Sequence, residues 1–128
     1  MRKLNILMFS LLIILTFTAC QQSNVDDQTS DKYTEKGKEV VELLLDGDYE
    51  AVYEQFNDEM STLLPVSEMD ELTPVIEEAG EFEEYEVTAV EERDDLFVTV
   101  TVTKHEKGKL GFTITFEEDG DIAGLFIK

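Results

Sequence analysis

Positive charge is scarce in this sequence: 10 Lys plus Arg stand against 30 Asp plus Glu, for a formal net charge of −20. Nucleic-acid affinity comes from basic side chains that displace counterions from phosphates, and anionic bilayer surfaces attract polybasic segments, so the sequence argues against both as partners of the folded part. Cysteine occurs once, at Cys20, and histidine once, at His105. One cysteine permits no internal disulfide, and the pair falls short of a cysteine-rich zinc site or a histidine-based catalytic array. Tryptophan is absent, proline is limited to Pro65 and Pro74, and 128 residues leave room for one domain. No cofactor and no metal site are expected.

What is present begins with an address. Met1-Arg2-Lys3 precedes an almost wholly apolar run from Leu4 to Ala19 that contains no Asp or Glu, the charged n-region and h-region of a signal peptide. The run is short for a membrane span, which takes about 20 apolar residues. It closes on Leu15-Thr16-Phe17-Thr18-Ala19-Cys20, which resembles the lipobox of bacterial lipoproteins, with Phe17 where that motif most often has Leu. The resemblance implies cleavage before Cys20, diacylglycerol on its sulfur, and a chain held by lipid on the extracytoplasmic face of the cell membrane, since two acyl chains anchor stably where one does not. Residues 1–19 then form the signal peptide, and residues 20–30, polar apart from Val25, form the lipidated cysteine and a flexible tether. Residues 31–128 form the single folded domain.

The first half of that domain has helical periodicity. Tyr33, Val40, Val41, Leu44 and Leu45 share a face over Asp31–Leu45, and Asp46-Gly47 supplies the stop. Asp48 caps a second helix carrying Tyr49, Val52, Tyr53 and Phe56, which continues loosely to Met60. After Leu63-Leu64-Pro65, a capping-box-like Ser67-Glu68-Met69-Asp70 opens a third, with Met69, Leu72, Val75, Ile76 and Ala79 inward and Gly80 at its end. Pro74 predicts a kink or a split in it.

From Glu81 the period becomes two. Glu84–Val90 predicts a strand with Tyr85, Val87 and Ala89 on one face. Leu96–Lys104 places Leu96, Val98, Val100 and Val102 on one face and Phe97, Thr99, Thr101 and Thr103 on the other; Leu110, Phe112, Ile114 and Phe116 alternate in a third strand. Asp119-Gly120 turns the chain into a last strand, Ile122–Ile127, with Gly124 as a bulge or close approach. Helices followed by hairpins predict an α+β fold, with N-terminal helices packed on a curved antiparallel sheet of about four strands.

Gly47-Asp48-Tyr49-Glu50-Ala51-Val52-Tyr53-Glu54-Gln55-Phe56-Asn57-Asp58-Glu59-Met60, then Leu64-Pro65, then Glu118-Asp119-Gly120-Asp121-Ile122-Ala123-Gly124-Leu125-Phe126 resemble the domain of unknown function 3887 family. The resemblance implies a cone-like, cystatin-like roll of the ketosteroid isomerase and nuclear transport factor two kind, in which helices close one end of a bent sheet and often leave a pocket. It implies no activity. Thr73-Pro74 stand near where relatives tend to carry a bulky aromatic, and the absence of Gly-x-Ser-x-Gly gives no ground for hydrolysis.

On that reading the candidate pocket is Tyr49, Tyr53, Phe56, Met60 and Met69, and the leading expectation is a non-catalytic module for a small apolar ligand or an envelope protein. The alternatives are an isomerase or lyase pairing a tyrosine with Glu50 or Glu54 in an apolar cavity, and a pocketless accessory module. The face formed by Thr99, Thr101, Thr103, Thr113, Thr115 and Phe97 reads either as a solvent-facing strand surface or as a sheet-to-sheet contact in a homodimer. His105 reads as a solvated turn residue. Three acidic clusters, Asp46-Gly47-Asp48, Asp94-Asp95 and Glu117-Glu118-Asp119-Gly120-Asp121, raise the question of calcium; a loop begun at Asp46 has Ala51 and Asn57 where Gly and Glu are needed, and a helix cap and hairpin turns account for the first and last clusters, with weak cation binding as the alternative. The run of Glu from Glu77 to Glu92 reads as a solubilising surface or a site for a basic partner.

Overall fold

A computed structural model describes residues 25–128; the expected signal peptide, Cys20 and residues 21–24 lie outside the described residues. Helix α1 spans Asp27–Leu45 and is capped by Asp26, whose carboxylate accepts from the Thr29 amide at 2.7 Å. This cap, together with Asp27 beside it in the first turn, starts the helix before Asp31 and takes residues 27–30 out of the expected tether. The two hydrogen bonds from Thr29 hold the Asp26 carboxyl below the usual carboxylate range. Tyr33, Val40, Val41 and Leu44 are buried as the periodicity predicts, and the helix stops where Gly47 takes φ +75°.

The second expected helix is two. Tyr49–Tyr53 (α2) follows its Asp48 cap, and Asp58–Leu63 (α3) follows a new cap at Asn57, whose side chain accepts from the Met60 amide at 2.8 Å. Between them Phe56 bridges to Ile122: the Asn57 amide donates to the Ile122 carbonyl at 2.9 Å and the Ile122 amide to the Gln55 carbonyl at 2.7 Å. Pairing with the last strand thus replaces helix continuation. The third expected helix is split, into α4 (Val66–Met69) and α5 (Leu72–Ala79). The break falls at Asp70-Glu71, and Pro74 sits in the first turn of α5, where its missing amide costs no helical bond. Ser67 does not cap; Pro65 occupies that position without a side-chain bond. Val75 faces solvent, 43% exposed, rather than inward.

Four strands follow: β1 (Phe82–Arg93), β2 (Leu96–His105), β3 (Gly108–Phe116) and β4 (Ile122–Ile127), antiparallel in the order β1-β2-β3-β4. The helices contact one face of this sheet, with α1 lying across β1, β2 and β3. Register shifts after Phe82 and Tyr85 put Tyr85 opposite Thr103 but Ala89 opposite Val100. Tyr85 therefore faces the helices while Ala89 turns outward and Val90 takes the buried place; the Val87 side chain lies outside the described residues. Gly124 makes the expected close approach, since a Cβ there would lie 3.3 Å from Thr115.

The polarity of β2 is the reverse of the solvent-surface expectation. Phe97, Thr99, Thr101 and Thr103 are buried against α1, and Val98, Val100 and Val102 lie on the opposite, half-buried face. The helix approaches β2 at Gly37, where there is no side chain to hold the layers apart, and short β-branched threonines fill the narrow gap. The Thr99 hydroxyl is satisfied locally, donating to the Ile114 carbonyl at 3.1 Å. Thr113 and Thr115, opposite Val100 and Val98, belong to the outer face, so the five threonines are divided between the two sides of the sheet. Phe112, Ile114 and Phe116 complete the core with Leu44, Val52, Met69 and Ile122, all at 0% exposure.

Candidate functional site

Where α1 ends, α5 ends and β1 begins, the elements do not close. A cavity of about 450 Å³ lies between Leu45 and Asp46 of α1, Ile76 and Glu77 of α5, the Gly80-Glu81-Phe82 link, and His105-Glu106 at the end of β2. Adjoining hollows share its Leu45-Asp46 wall, one reaching Glu42 and Tyr85, the other Tyr49 and Thr73, so a groove runs across the end of α1. Its size is that of a small-molecule site.

The apolar wall is aromatic and partly open. Phe82 is 41% exposed, and its ring meets Tyr85 edge to face at 4.9 Å and His105 at 5.9 Å. Tyr85 donates to Glu42 Oε1 at 3.4 Å; burial, then the Glu42 charge, pushes its hydroxyl pKa up.

His105 is a correction to the sequence reading. It is 3% exposed, because β2 continues through it on the buried side that Thr103 also occupies. Its Nδ1–H donates to the Gly80 carbonyl at 3.0 Å, an atom that can only accept, and Nε2 then accepts from the Thr103 hydroxyl at 2.7 Å. The ring pins the α5–β1 link that forms one wall. Gly80 is required there, with φ +85° and Glu106 3.0 Å from any added Cβ. The common parity of Phe97, Thr99, Thr101, Thr103 and His105 was the signal for this placement.

Five acidic residues, Glu42, Asp46, Glu77, Glu81 and Glu106, line the groove, and two lysines stand at its rim, Lys38 over the Tyr85 ring and Lys107 with its stem 3.4 Å from a Cβ placed at Gly80. Two helices point their C-termini at it without a basic residue in either last turn. Helix C-termini carry partial negative charge, so backbone and side chains both favour a cation. Lys38, with Nζ 5.1 Å from the centre of the Tyr85 ring, shows that the outer aromatic wall accepts one.

The five residues expected to form a pocket lie in the core around α2, α3 and α4. Tyr49, Phe56, Met60 and Met69 are buried and Tyr53 is half-buried. Tyr53 packs edge to face on Phe56 at 5.7 Å and donates to the Ser61 carbonyl at 3.4 Å; the Tyr49 hydroxyl shares a hydrogen bond with Thr73 Oγ1 at 2.7 Å. Of the five, Tyr49 borders the groove.

At the opposite end of β2, the β1–β2 turn faces the β3–β4 turn across an acidic depression lined by Asp94, Asp95, Glu117, Glu118 and Asp119. Asp94 and Asp95 form a tight turn at φ 49° and 66°. Carboxylate oxygens of Glu117, Asp119 and Asp121 lie within 4.8 Å of one another. Glu117 also accepts from Asn57 Nδ2 at 3.1 Å, and three such oxygens provide about half of the six to eight that calcium takes. Tyr33 reaches this end from α1, stacked on Phe97 at 4.2 Å, and burial followed by the charges of Glu118 and Asp119 pushes its pKa up.

A family model described as Protein of unknown function (DUF3887) matches residues 37–125. The chain belongs to that family. The DUF3887 match runs from the glycine of α1 that meets β2 to the last strand, and so takes in the groove. The fold is similar to that in an NMR structure of a protein from Ruminococcus gnavus ATCC 29149, with a TM-score of 0.66 and 19% identity over 82% of this chain and 93% of that one. At that identity the likeness is one of fold. No curated protein matches the chain.

Proposed function

We propose that this DUF3887 protein is a lipid-anchored, extracytoplasmic, non-catalytic binding module whose groove takes a small amphiphile with a positive group. The observation that carries the reading is the lining of the groove, with Leu45, Ile76, Phe82 and Tyr85 beside five acidic residues that outnumber the lysines at its rim, Lys38 and Lys107. An apolar body would cover the exposed Phe82 ring while its cation sits near the carboxylates and the helix ends, where charge and cation–π attraction act together. A basic side chain presented by an envelope protein satisfies the same chemistry. The cone-like likeness to ketosteroid isomerase and nuclear transport factor two is part of this proposal, supported by the order of helices and strands.

The anchor rests on the sequence from Leu15 to Cys20, and no helix among the described residues is long and apolar enough to cross a membrane. Cys20→Ser should leave the full-length chain uncleaved and lost from washed membranes; unchanged fractionation would defeat the anchor.

The groove is tested by titrating residues 25–128 with octyltrimethylammonium and, separately, octanesulfonate, following the Phe82 and Tyr85 rings by NMR. These residues suffice because they contain the whole core and correspond in fold to a chain solved in solution. The cation should bind at least about tenfold more tightly than the anion, and Glu77→Gln with Glu81→Gln should remove most of that preference. Equal binding of both probes, or shifts confined to other residues, would sink the reading. An isomerase or lyase is the second reading, favoured by the contact between Tyr85 and Glu42 at the open end of the groove. It requires turnover that Tyr85→Phe abolishes.

A further inference from the structure

Among the described residues, nothing covers the sheet face opposite the helices. Its centre is apolar: Val98, Val100 and Val102 of β2 are half-buried, and Phe126 of β4, opposite Thr113, is 61% exposed. Its charges are unlike those of the rest of the chain. The three ion pairs among the described residues lie at its two ends, Arg93–Glu91 at 2.9 Å at one and Lys104–Glu83 at 3.7 Å with Lys109–Glu86 at 2.7 Å at the other. The further carboxylate of Glu84, opposite Lys104, is balanced by Lys128, which exchanges backbone hydrogen bonds with Gly111. In a chain with 30 acidic and 10 basic residues, this face is close to neutral.

We propose that the outer sheet face is the contact surface for a second copy of this chain, giving a reversible homodimer. Two copies that each carry −20 repel through most pairs of surfaces, and here they can approach without that penalty. A basic partner is drawn instead to the carboxylates of the helical side. Extent agrees with a second copy: strands of 12, 10, 9 and 6 residues at about 3.3 Å per residue and 4.8 Å apart present roughly 600 Å². Two such faces bury about 1,200 Å², at the low end of the range for a specific interface.

Sedimentation equilibrium of residues 25–128 from about 1 µM to 1 mM, the range of weak, reversible association, should show a monomer–dimer equilibrium. Val100→Lys and Phe126→Asp should each weaken it at least about tenfold by burying an unpaired charge. Phe126 is 61% exposed, so Phe126→Asp should leave the melting point of the monomer nearly unchanged, which separates loss of contact from loss of fold. A monomer at every concentration would overturn the proposal, as would a dimer indifferent to both charge substitutions. Binding of the cation at the groove does not depend on either outcome.

Discussion

At Gly37 two effects of similar size oppose each other. Glycine inside a helix costs about 1 kcal/mol relative to alanine, yet a Cβ at this position would stand 3.0 Å from Thr99 Oγ1 and 3.4 Å from Thr99 Cβ. Thr99 has little freedom to yield, being 1% exposed and held to the Ile114 carbonyl. Overpacking of this kind costs about 1–3 kcal/mol. Gly37→Ala should therefore destabilise by a net of about 1 kcal/mol, and in a Thr99→Ala background it should instead stabilise by about 0.5–1 kcal/mol. Urea unfolding of the four proteins in that cycle measures both. If the two substitutions add independently, contact between α1 and β2 is not what excludes a side chain at Gly37.

Among the elements, those whose patterns depend on neighbours in sequence were legible, and those decided by distant partners were not. The buried face of α1, the alternation of Leu110, Phe112, Ile114 and Phe116, the Asp48 cap and the stop at Gly47 follow from periodicity and capping. The break after Tyr53 does not, because Phe56 leaves the helix to bridge Ile122, far along the chain. For β2 the alternation was visible and its direction was not. Hydrophobicity ranks valine above threonine for burial, but α1 comes so near at Gly37 that small side chains with local acceptors fit beneath it. The same inversion hid His105, which shares the threonines' side of the strand and closes the groove. Tyr49 was the one expected pocket residue to border that groove; Phe82, Tyr85 and Glu42 come from elements that sequence spacing does not place together.

Over the whole molecule, the distribution of charge matters more than its total. The three ion pairs of the described residues join side chains of the sheet, while the groove gathers five acidic residues, none of them in an ion pair among the described residues. Folding brings like charges of a −20 chain closer than they are in the unfolded ensemble, and that repulsion opposes the compact state. Mobile ions screen it, with a Debye length falling from about 30 Å at 0.01 M to about 8 Å at 0.15 M. The three exposed pairs are weakened by the same ions, but such pairs contribute about 0–1 kcal/mol each, and they are few beside the uncompensated carboxylates. Repulsion should dominate. The melting temperature of residues 25–128, measured at a concentration where sedimentation shows only monomer, should rise by several degrees between about 0.01 and 0.3 M sodium chloride. Glu77→Gln with Glu81→Gln should reduce that rise by relieving repulsion at the groove. A melting temperature that falls with salt would mean that the ion pairs at the ends of the sheet outweigh the groove and the helical surface together.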